Sequence, residues 1–351
     1  MNTNVQRGLV LLQTSLAVAC VVCSGPDVRG ADAASGAQFQ PTAQEKIVPA
    51  GAKVEMLWNE GEFTEGPVPT ADGAILFSDI GNRIMRYDPR SGKTDVFRDP
   101  SGKSNGLKFD PRGYLVACEG AAPGGNRRIS ITDDKGTAKT LADRFEGKRF
   151  NSPNDLAIST RGNIYFTDPR YVGDEPRQLD FEAVFLVSPR GEVSVATRDL
   201  QKPNGIIITP DDKHVYVADN SNLSDGNHQL LAFAVQSDGT LAEKRVLHDF
   251  GPNRRGIDGM ALDVEGNIYA TAGSGQQAGI YVFGPQGQQR AFIATPGSPS
   301  NCVFGVGNEA STLYITGAGP EPASAGAKRP YALYRVRLAI AGYHVFPRPE
   351  S

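Results

Sequence analysis

One order of polar and apolar positions recurs along most of the chain. A polar residue precedes a short apolar run, a turn rich in Gly, Asp and Asn, and a second apolar run. In one copy, Leu156–Ile158 predicts a buried strand, Thr160–Asn163 predicts a turn, and Ile164–Phe166 predicts the returning strand. Asn154 and Asp155 stand where the first of these strands begins.

Six copies of this pattern can be aligned on their leading polar residues. These residues are separated by 40, 49, 50, 54 and 43 positions, and they are Glu65, Asn105, Asn154, Asn204, Asp258 and Asn301. Repeats of this length, each with about four short strands, are typical of propeller blades. A β-sandwich with repetitive turns would fit one or two copies but not six in register. We therefore predict an all-β fold, a six-bladed β-propeller over residues 51–348.

A propeller must close its ring, because an unpaired last blade would leave an exposed strand edge. Tyr331–Arg337 predicts the third strand of the sixth blade. Two segments compete for the fourth strand: the early apolar segment near Val54–Leu57 and the late segment Gly342–Phe346. The sequence leaves both open.

Composition agrees with many short strands and excludes two classes of partner. The chain has 40 Gly, 24 Pro and 39% hydrophobic residues. Its net charge of -3 and pI near 5.9 are not those of a nucleic-acid-binding protein. No basic run of the kind that docks on anionic lipid is present.

The N-terminus differs in kind from the repeats. Arg7 precedes an apolar stretch from Leu9 to Cys23, and Ala31–Ala33 offers a small-residue cleavage site. We predict a signal peptide at residues 1–33, a linker at residues 34–50, and an exported mature chain, periplasmic or extracellular, without a membrane span. The alternatives are an uncleaved anchor or a lipid anchor on Cys20. A monomer and a dimer are both compatible with the sequence.

Outside the predicted signal peptide only two cysteines remain, Cys118 and Cys302. They are expected to be buried thiols that pack as small apolar side chains. A disulfide between them is the alternative, because exported proteins meet oxidising conditions. No Cys/His spacing suggests a zinc site.

The leading residues carry the candidate chemistry. The first residues of the innermost propeller strands rim one mouth of the channel, so the six should converge there. The set contains two carboxylates, Glu65 and Asp258, together with four amides. Such oxygen donors suit a hard cation, above all Ca²⁺, which accepts six to eight oxygens in loose geometry. The alternative is that the Asn-Gly and Asp-Gly pairs are ordinary turn dipeptides.

These residues also carry a resemblance to a known family. The chain resembles the gluconolactonase, senescence-marker-protein (regucalcin) and luciferin-regenerating-enzyme family over about residues 52–338. The matching phrases begin at Glu65, Ser104, Asn151, Tyr165, Lys202, Ile257 and Asn301. The resemblance implies a six-bladed propeller with a divalent metal in its channel, and metal ligands at Glu65, Asn154, Asn204 and Asp258.

The resemblance also implies which residues line a substrate pocket. They are Asn105, Arg127 or Arg128, Tyr171 and Asn301. For the arginine pair, the alternative is a surface role in ion pairs with Asp133 or Asp134. Asn151 and Asp155 are expected to line the pocket or to support the ligands. Asp79, Asp168 and Asp219, which end second strands, are expected to be turn formers rather than acids.

The implied reaction is hydrolysis of a sugar lactone to its aldonate, with Ca²⁺ as Lewis acid; Mg²⁺, Mn²⁺ and Zn²⁺ are alternatives. Asp258 is the candidate general base, and a water bound to the metal is the alternative nucleophile source. Two other functions stay open. They are a phosphotriester or aryl-ester hydrolase on the same site, and a non-catalytic ligand-binding propeller with structural calcium.

Overall fold

A computed structural model describes residues 39–133, 135–223, 225–322 and 328–345. The predicted signal peptide, including Cys20, lies outside these residues. A short helix, α1 (Gln44–Ile47), and strand β1 (Glu55–Gly61) come first. The strands of the first two blades follow: β2 (Thr64–Pro69), β3 (Ile75–Asp79), β4 (Arg83–Asp88), β5 (Lys93–Arg98), β6 (Ser104–Phe109), β7 (Leu115–Glu119), β8 (Arg128–Thr132) and β9 (Ala138–Ala142).

The other four blades repeat this arrangement. A small hairpin, β10 (Arg144–Phe145) and β11 (Lys148–Arg149), precedes the third blade. The third and fourth blades are β12 (Leu156–Ile158), β13 (Ile164–Thr167), β14 (Val184–Val187), β15 (Val193–Thr197), β16 (Pro203–Ile208), β17 (His214–Asn220), β18 (His228–Val235) and β19 (Leu241–Asp249). The last two contain β20 (Met260–Leu262), β21 (Ile268–Ala272), β22 (Gly279–Phe283), β23 (Gln289–Ala294), β24 (Pro299–Phe304), β25 (Thr312–Ala318) and β26 (Tyr331–Arg337).

Each blade is a four-stranded antiparallel sheet, and the innermost strands form a closed ring. In the first five blades the strands lie in chain order from the channel outward. The innermost strands β2, β6, β12, β16, β20 and β24 contact one another in sequence, and β24 also contacts β2. The six-bladed propeller predicted from the repeat is therefore confirmed.

The turns between the first two strands of a blade are also as predicted. In the second blade, Gly113 N donates to Asp110 O at 2.9 Å, and the Asp110 carboxylate accepts the N–H groups of Arg112 and Tyr114. The last turn residue has a left-handed backbone, with φ +83° at Gly113 and +57° at Asp212 in the fourth blade. Gly and Asp are common there because they tolerate positive φ.

The N-terminal strand closes the ring. β1 pairs antiparallel with β26 and is the outer strand of a sheet ordered β1-β26-β25-β24. The late segment takes another path: Gly342 bridges Asp263, and Tyr343 N donates to Leu262 O at 2.9 Å. It therefore crosses the channel end opposite the leading residues, where His344 and Val345 line the channel. Phe346 lies outside the described residues.

The described part of the predicted linker is packed on the propeller. Ile47 is fully buried in a core between the fifth and sixth blades. Thr42 N donates to Gln289 O at 3.1 Å. The Gln44 side chain bonds both the N–H and the C=O of Phe292, at 2.8 and 2.9 Å. Residues 39–48 thus cover β23, an edge that would otherwise present unpaired backbone groups.

Two further expectations concern thiols and membranes. Cys118 and Cys302 are free and buried, so the thiol prediction is confirmed and the alternative of a disulfide is wrong. Within the described ranges, no helix is long and apolar enough to cross a membrane.

Candidate active site

The pairing of the innermost strand with its neighbour is irregular beside the leading residues. The register shifts between Glu65 and Val68 in the first blade, and between Ser104 and Leu107 in the second. The fourth blade shows the same shift between Pro203 and Ile206. Such bulges re-aim side chains at the start of a strand, and here the start is the mouth of the channel.

A glycine after the leading residue lets neighbouring blades approach closely. Gly106 N donates to Asn154 O at 2.8 Å, and Gly205 N donates to Asp258 O at 2.7 Å. A Cβ on Gly205 would lie 2.2 Å from Asp258 O, and one on Gly66 would lie 2.0 Å from Asn105 O. The dipeptides at 105–106 and 204–205 lie inside β6 and β16. The turn alternative for them is therefore wrong.

Buried hydroxyl groups on second strands support this ring from behind. Thr271 Oγ1 accepts from Gly259 N and donates to Ser300 O, both at 2.8 Å. Thr316 Oγ1 accepts from Asn301 N at 3.1 Å, and Ser78 Oγ donates to Asn105 O at 2.7 Å. These bonds add side-chain partners to backbone groups beside the leading residues; Gly259 N, for example, also donates to Ser300 O at 2.8 Å.

Three carboxyl groups gather at the mouth: Glu65, Asp155 and Asp258. The Asn301 amide joins two of them, because its Nδ2 donates to Glu65 Oε2 at 3.1 Å and to Asp155 Oδ2 at 3.4 Å. Glu65 is buried, with only 4% of its surface exposed to solvent. Burial, and then the negative charge of Asp258, hold the pKa of Glu65 well above its usual value. Burial also raises the pKa of Asp155 and of Asp258.

Two cations oppose this negative charge. Arg255 Nη2 bonds Asp258 Oδ2 at 2.5 Å, and its charge moderates the rise in the pKa of Asp258. Lys108 lies farther down the channel and moderates the rise in the pKa of Asp155. Neither Arg255 nor Lys108 is a leading residue of a repeat, so neither was predicted at the site. Asp155, which was expected to line the pocket or to support the ligands, lies in the carboxyl cluster beside Asn301.

The predicted amides and the tyrosine also lie at this mouth. Asn204 lowers the pKa of Asp258 and donates through Nδ2 to Tyr171 Oη at 3.3 Å. Tyr171 in turn donates to Asn220 O at 2.6 Å. Asn105 Oδ1 is buried without a hydrogen-bond partner among the described residues. A buried acceptor without a donor is costly, which makes Asn105 Oδ1 available to a ligand.

Both arginines of the pair have carboxylate partners within the protein. Arg127 is 1% exposed and bonds Phe150 O and Glu175, so it is not a surface residue. Arg128 lies opposite Glu119 in the β7–β8 ladder and bonds its carboxylate at 2.8 Å. The expected pairing with Asp133 is wrong, since Asp133 pairs with Lys139; Asp134 lies outside the described residues. No contact described for either arginine reaches the carboxyl cluster.

The remaining polar candidates have structural partners. Asp168 accepts the N–H groups of Asn151 and Ser152, both at 2.7 Å, and so caps the loop that enters the third blade. Asp79 and Asp219 accept backbone N–H groups in the same way in the first and fourth blades. The prediction that these acids form turns agrees with this geometry. The Asn151 amide donates to Phe181 O at 2.7 Å and supports the same loop.

The donor set fits a hard cation better than a soft one. The ring offers carboxylate and amide oxygens, without a thiol or imidazole among the leading residues. Among the described residues, no group of three or more His, Cys, Asp and Glu side chains is arranged to hold an ion. An ion at this mouth would therefore need the oxygens of Asn154 and Asn204 beside those of Glu65 and Asp258. Ca²⁺ accepts such mixed oxygen donors.

Comparison with known proteins places this arrangement in a family. The model of the SMP-30/Gluconolactonase/LRE-like region matches residues 63–319. The chain is 32% identical to a gluconolactonase from Zymomonas mobilis, over 80% of this chain and 82% of that protein. It is 27% identical to the diisopropyl-fluorophosphatase of Loligo vulgaris, over 72% of this chain and 84% of that protein.

A solved structure agrees with these matches. A gluconolactonase from Xanthomonas campestris superimposes with a TM-score of 0.70 at 29% identity, covering 84% of this chain and 92% of that one. The resemblance inferred from the repeated phrases is thus confirmed. The chain belongs to the SMP-30/gluconolactonase/LRE-like family.

Proposed function

We propose that this protein is a metal-dependent lactonase, a carboxylic ester hydrolase that opens a sugar lactone to its aldonic acid. The observation that carries the proposal is the convergence of Glu65 and Asp258 with Asn204 at one mouth of the propeller. Relatives named gluconolactonase support the reaction class.

Glu65, Asn154, Asn204 and Asp258 would hold the cation, which we take to be Ca²⁺, with Mg²⁺, Mn²⁺ and Zn²⁺ as alternatives. When bound, the cation supplies Lewis acidity toward the lactone carbonyl. The burial of Glu65 supports this role, because a carboxylate withdrawn from water needs a compensating charge.

The protein's own groups position the substrate and move the proton. Asp258 accepts a proton from the attacking water and returns it to the ring oxygen as the ester bond breaks. Burial raises the pKa of Asp258 in the absence of a cation, and a bound dication would lower it, which keeps the carboxylate ionised and able to accept the proton. Asn105 Oδ1 accepts a hydrogen bond from a sugar hydroxyl, and Tyr171 orients Asn204. Arg127 and Arg128, which bond Glu175 and Glu119, stay candidates for contacts with substrate hydroxyls.

The test is proton release from gluconolactone by the full-length protein. We expect EDTA to abolish the activity and Ca²⁺ to restore it. Asp258→Asn should lower kcat by at least about a hundredfold, the usual contribution of a positioned proton acceptor. Asp263→Asn removes a buried carboxyl from the opposite end of the same blade and should retain the activity of whatever fraction folds. Activity that is unchanged by EDTA would refute the proposed metal dependence.

A second candidate is a phosphotriester or aryl-ester hydrolase on the same site. The similarity to a diisopropyl-fluorophosphatase favours it, since the same oxygen donors would serve a phosphoryl oxygen. Rates on a phosphofluoridate and an aryl acetate, beside gluconolactone, separate the two. A protein that binds Ca²⁺ and hydrolyses none of the three would be a ligand-binding propeller with structural calcium.

A further inference from the structure

The proposed reaction does not explain the position of Arg255 at the mouth. Arg255 precedes Asp258 by three positions and bonds Asp258 Oδ2 through Nη2 at 2.5 Å. Of the described residues, Arg255 alone forms an ion pair with any of the three clustered carboxyls. The other two, on Glu65 and Asp155, accept only neutral N–H donors.

The ion pair occupies a carboxylate that a cation would need. Arg255 bonds Oδ2, so an ion that takes both oxygens of the Asp258 carboxylate has to displace the guanidinium. A divalent ion next to a guanidinium also meets like-charge repulsion, which is strong where water is partly excluded. Binding of the ion by the Asp258 carboxylate therefore competes with the direct Arg255–Asp258 ion pair.

Arg255 is built so that the contact can break without unfolding the loop. Its carbonyl accepts from Gly273 N at 3.1 Å, which holds the backbone in place. Its side chain is 26% exposed, and its second bond, from Nη1 to Gly273 O, is long at 3.4 Å. The guanidinium can therefore turn toward solvent while the backbone beside Asp258 stays fixed.

We propose that Arg255 is an internal counter-ion that competes with the divalent cation for the Asp258 carboxylate and so sets the affinity of the site. The inference rests on the metal site of the proposed function but not on lactone hydrolysis. It makes Arg255 a positioning residue: it neutralises Asp258 in the metal-free protein and is displaced when the ion binds. The site then binds Ca²⁺ more weakly than its oxygen donors alone would allow.

The chain offers a matched control in Arg329. Both guanidinium groups lie near Tyr331, where the charge of each counteracts the burial that raises the pKa of its hydroxyl. Arg329, however, bonds Gly319 O and Glu321 rather than a clustered carboxyl. Arg329→Gln thus removes the same charge from the same mouth without freeing Asp258.

The experiment is calorimetric titration of the EDTA-treated, dialysed full-length protein with CaCl₂. We expect Arg255→Gln to bind Ca²⁺ at least about tenfold more tightly than wild type, which corresponds to about 1.4 kcal/mol. Arg329→Gln should stay within about twofold, because Arg329 bonds Gly319 O and Glu321 and leaves the Asp258 carboxylate untouched. Unchanged or weaker binding by Arg255→Gln overturns the inference, and so does an equal gain in Arg329→Gln.

A second measurement uses the unmodified protein, in case Arg255→Gln does not fold. Phenylglyoxal labelling, read by peptide mass spectrometry, should modify Arg255 faster in CaCl₂ than in EDTA, with Arg329 unchanged. Equal or slower labelling of Arg255 refutes displacement. If the wild-type protein binds no Ca²⁺, both the proposed metal site and this inference are refuted. If it binds Ca²⁺ but does not hydrolyse lactone, only the proposed hydrolase function is refuted.

Discussion

Replacing Gly205 with alanine tests whether close approach of neighbouring blades positions the candidate site. Gly205 N donates to Asp258 O at 2.7 Å, so this single bond ties the inner strand of the fourth blade to the residue proposed as base. The backbone of Gly205 lies outside the left-handed region. Alanine there is therefore not strained by its own φ, and the new methyl group alone is responsible for the effect.

The magnitude follows from the geometry. The alanine Cβ would lie 2.2 Å from Asp258 O and 2.9 Å from Gly259 Cα, both of them backbone atoms that cannot rotate away. Relieving the overlap requires the two strands to separate by roughly 1 Å, and overpacking of this kind costs about 1–3 kcal/mol. A shift of this size at a reacting centre lowers the rate about a hundredfold.

Gly113→Ala is the matched control for stability. Its backbone has φ +83°, and a methyl group there meets open space. The left-handed conformation costs alanine about 1–2 kcal/mol, far from the mouth. Urea unfolding in EDTA should show comparable losses for both variants, while only Gly205→Ala loses calcium affinity and kcat/KM. The reasoning is refuted if Gly205→Ala is destabilised but keeps wild-type calcium affinity and kcat/KM.

Three further predictions concern other parts of the molecule. Ile47→Ala should lower the free energy of unfolding by about 2–5 kcal/mol in urea, because Ile47 is fully buried, while the folded variant keeps its activity. Thr271→Val should cost about 0.5–1.5 kcal/mol and reduce kcat/KM, because the hydroxyl that bonds Gly259 N beside Asp258 is lost while Gly259 N keeps its bond to Ser300 O. Burial lowers the pKa of His344 to about 4, so its contribution to stability is present above pH 6.5 and is lost as the pH falls toward 4. His344→Gln should remove about 3 kcal/mol of that pH dependence of the free energy of unfolding, measured by urea unfolding at several pH values, and an unchanged dependence would contradict the assignment.

The repeat was sufficient to predict the fold because equivalent positions of equivalent strands must meet around one axis. The common position of the six leading residues within the repeat therefore identified the innermost strand of each blade and the channel mouth at which these strands begin. Ring closure stayed ambiguous, because Val54–Leu57 and Gly342–Phe346 have similar strand propensity. The pairing of β1 with β26 is decided by packing between distant parts of the chain, which local pattern does not report.

The details of the candidate site depended on contacts that the repeat does not encode. The Arg255–Asp258 pair is set by the path of the loop before Asp258, and that loop has no equivalent in the pattern. The position of Arg128 follows from the β7–β8 register, which turns it toward Glu119. The place of Asp155 in the carboxyl cluster was not predicted for a related reason: its contact there is with Asn301, which belongs to the sixth blade.

The closing strand also determines when the site can exist during folding. The Arg335–Glu55 ion pair joins residues 280 positions apart, and the Asn301–Glu65 bond joins residues 236 apart. Contacts between residues so far apart in sequence form late, because closing a very long loop costs conformational entropy. Glu65 therefore meets its partners only after nearly the whole chain has been synthesised. We expect a nascent chain that lacks Tyr331–Arg337 to contain all four proposed ligands without binding Ca²⁺, so that cation binding marks the completed ring.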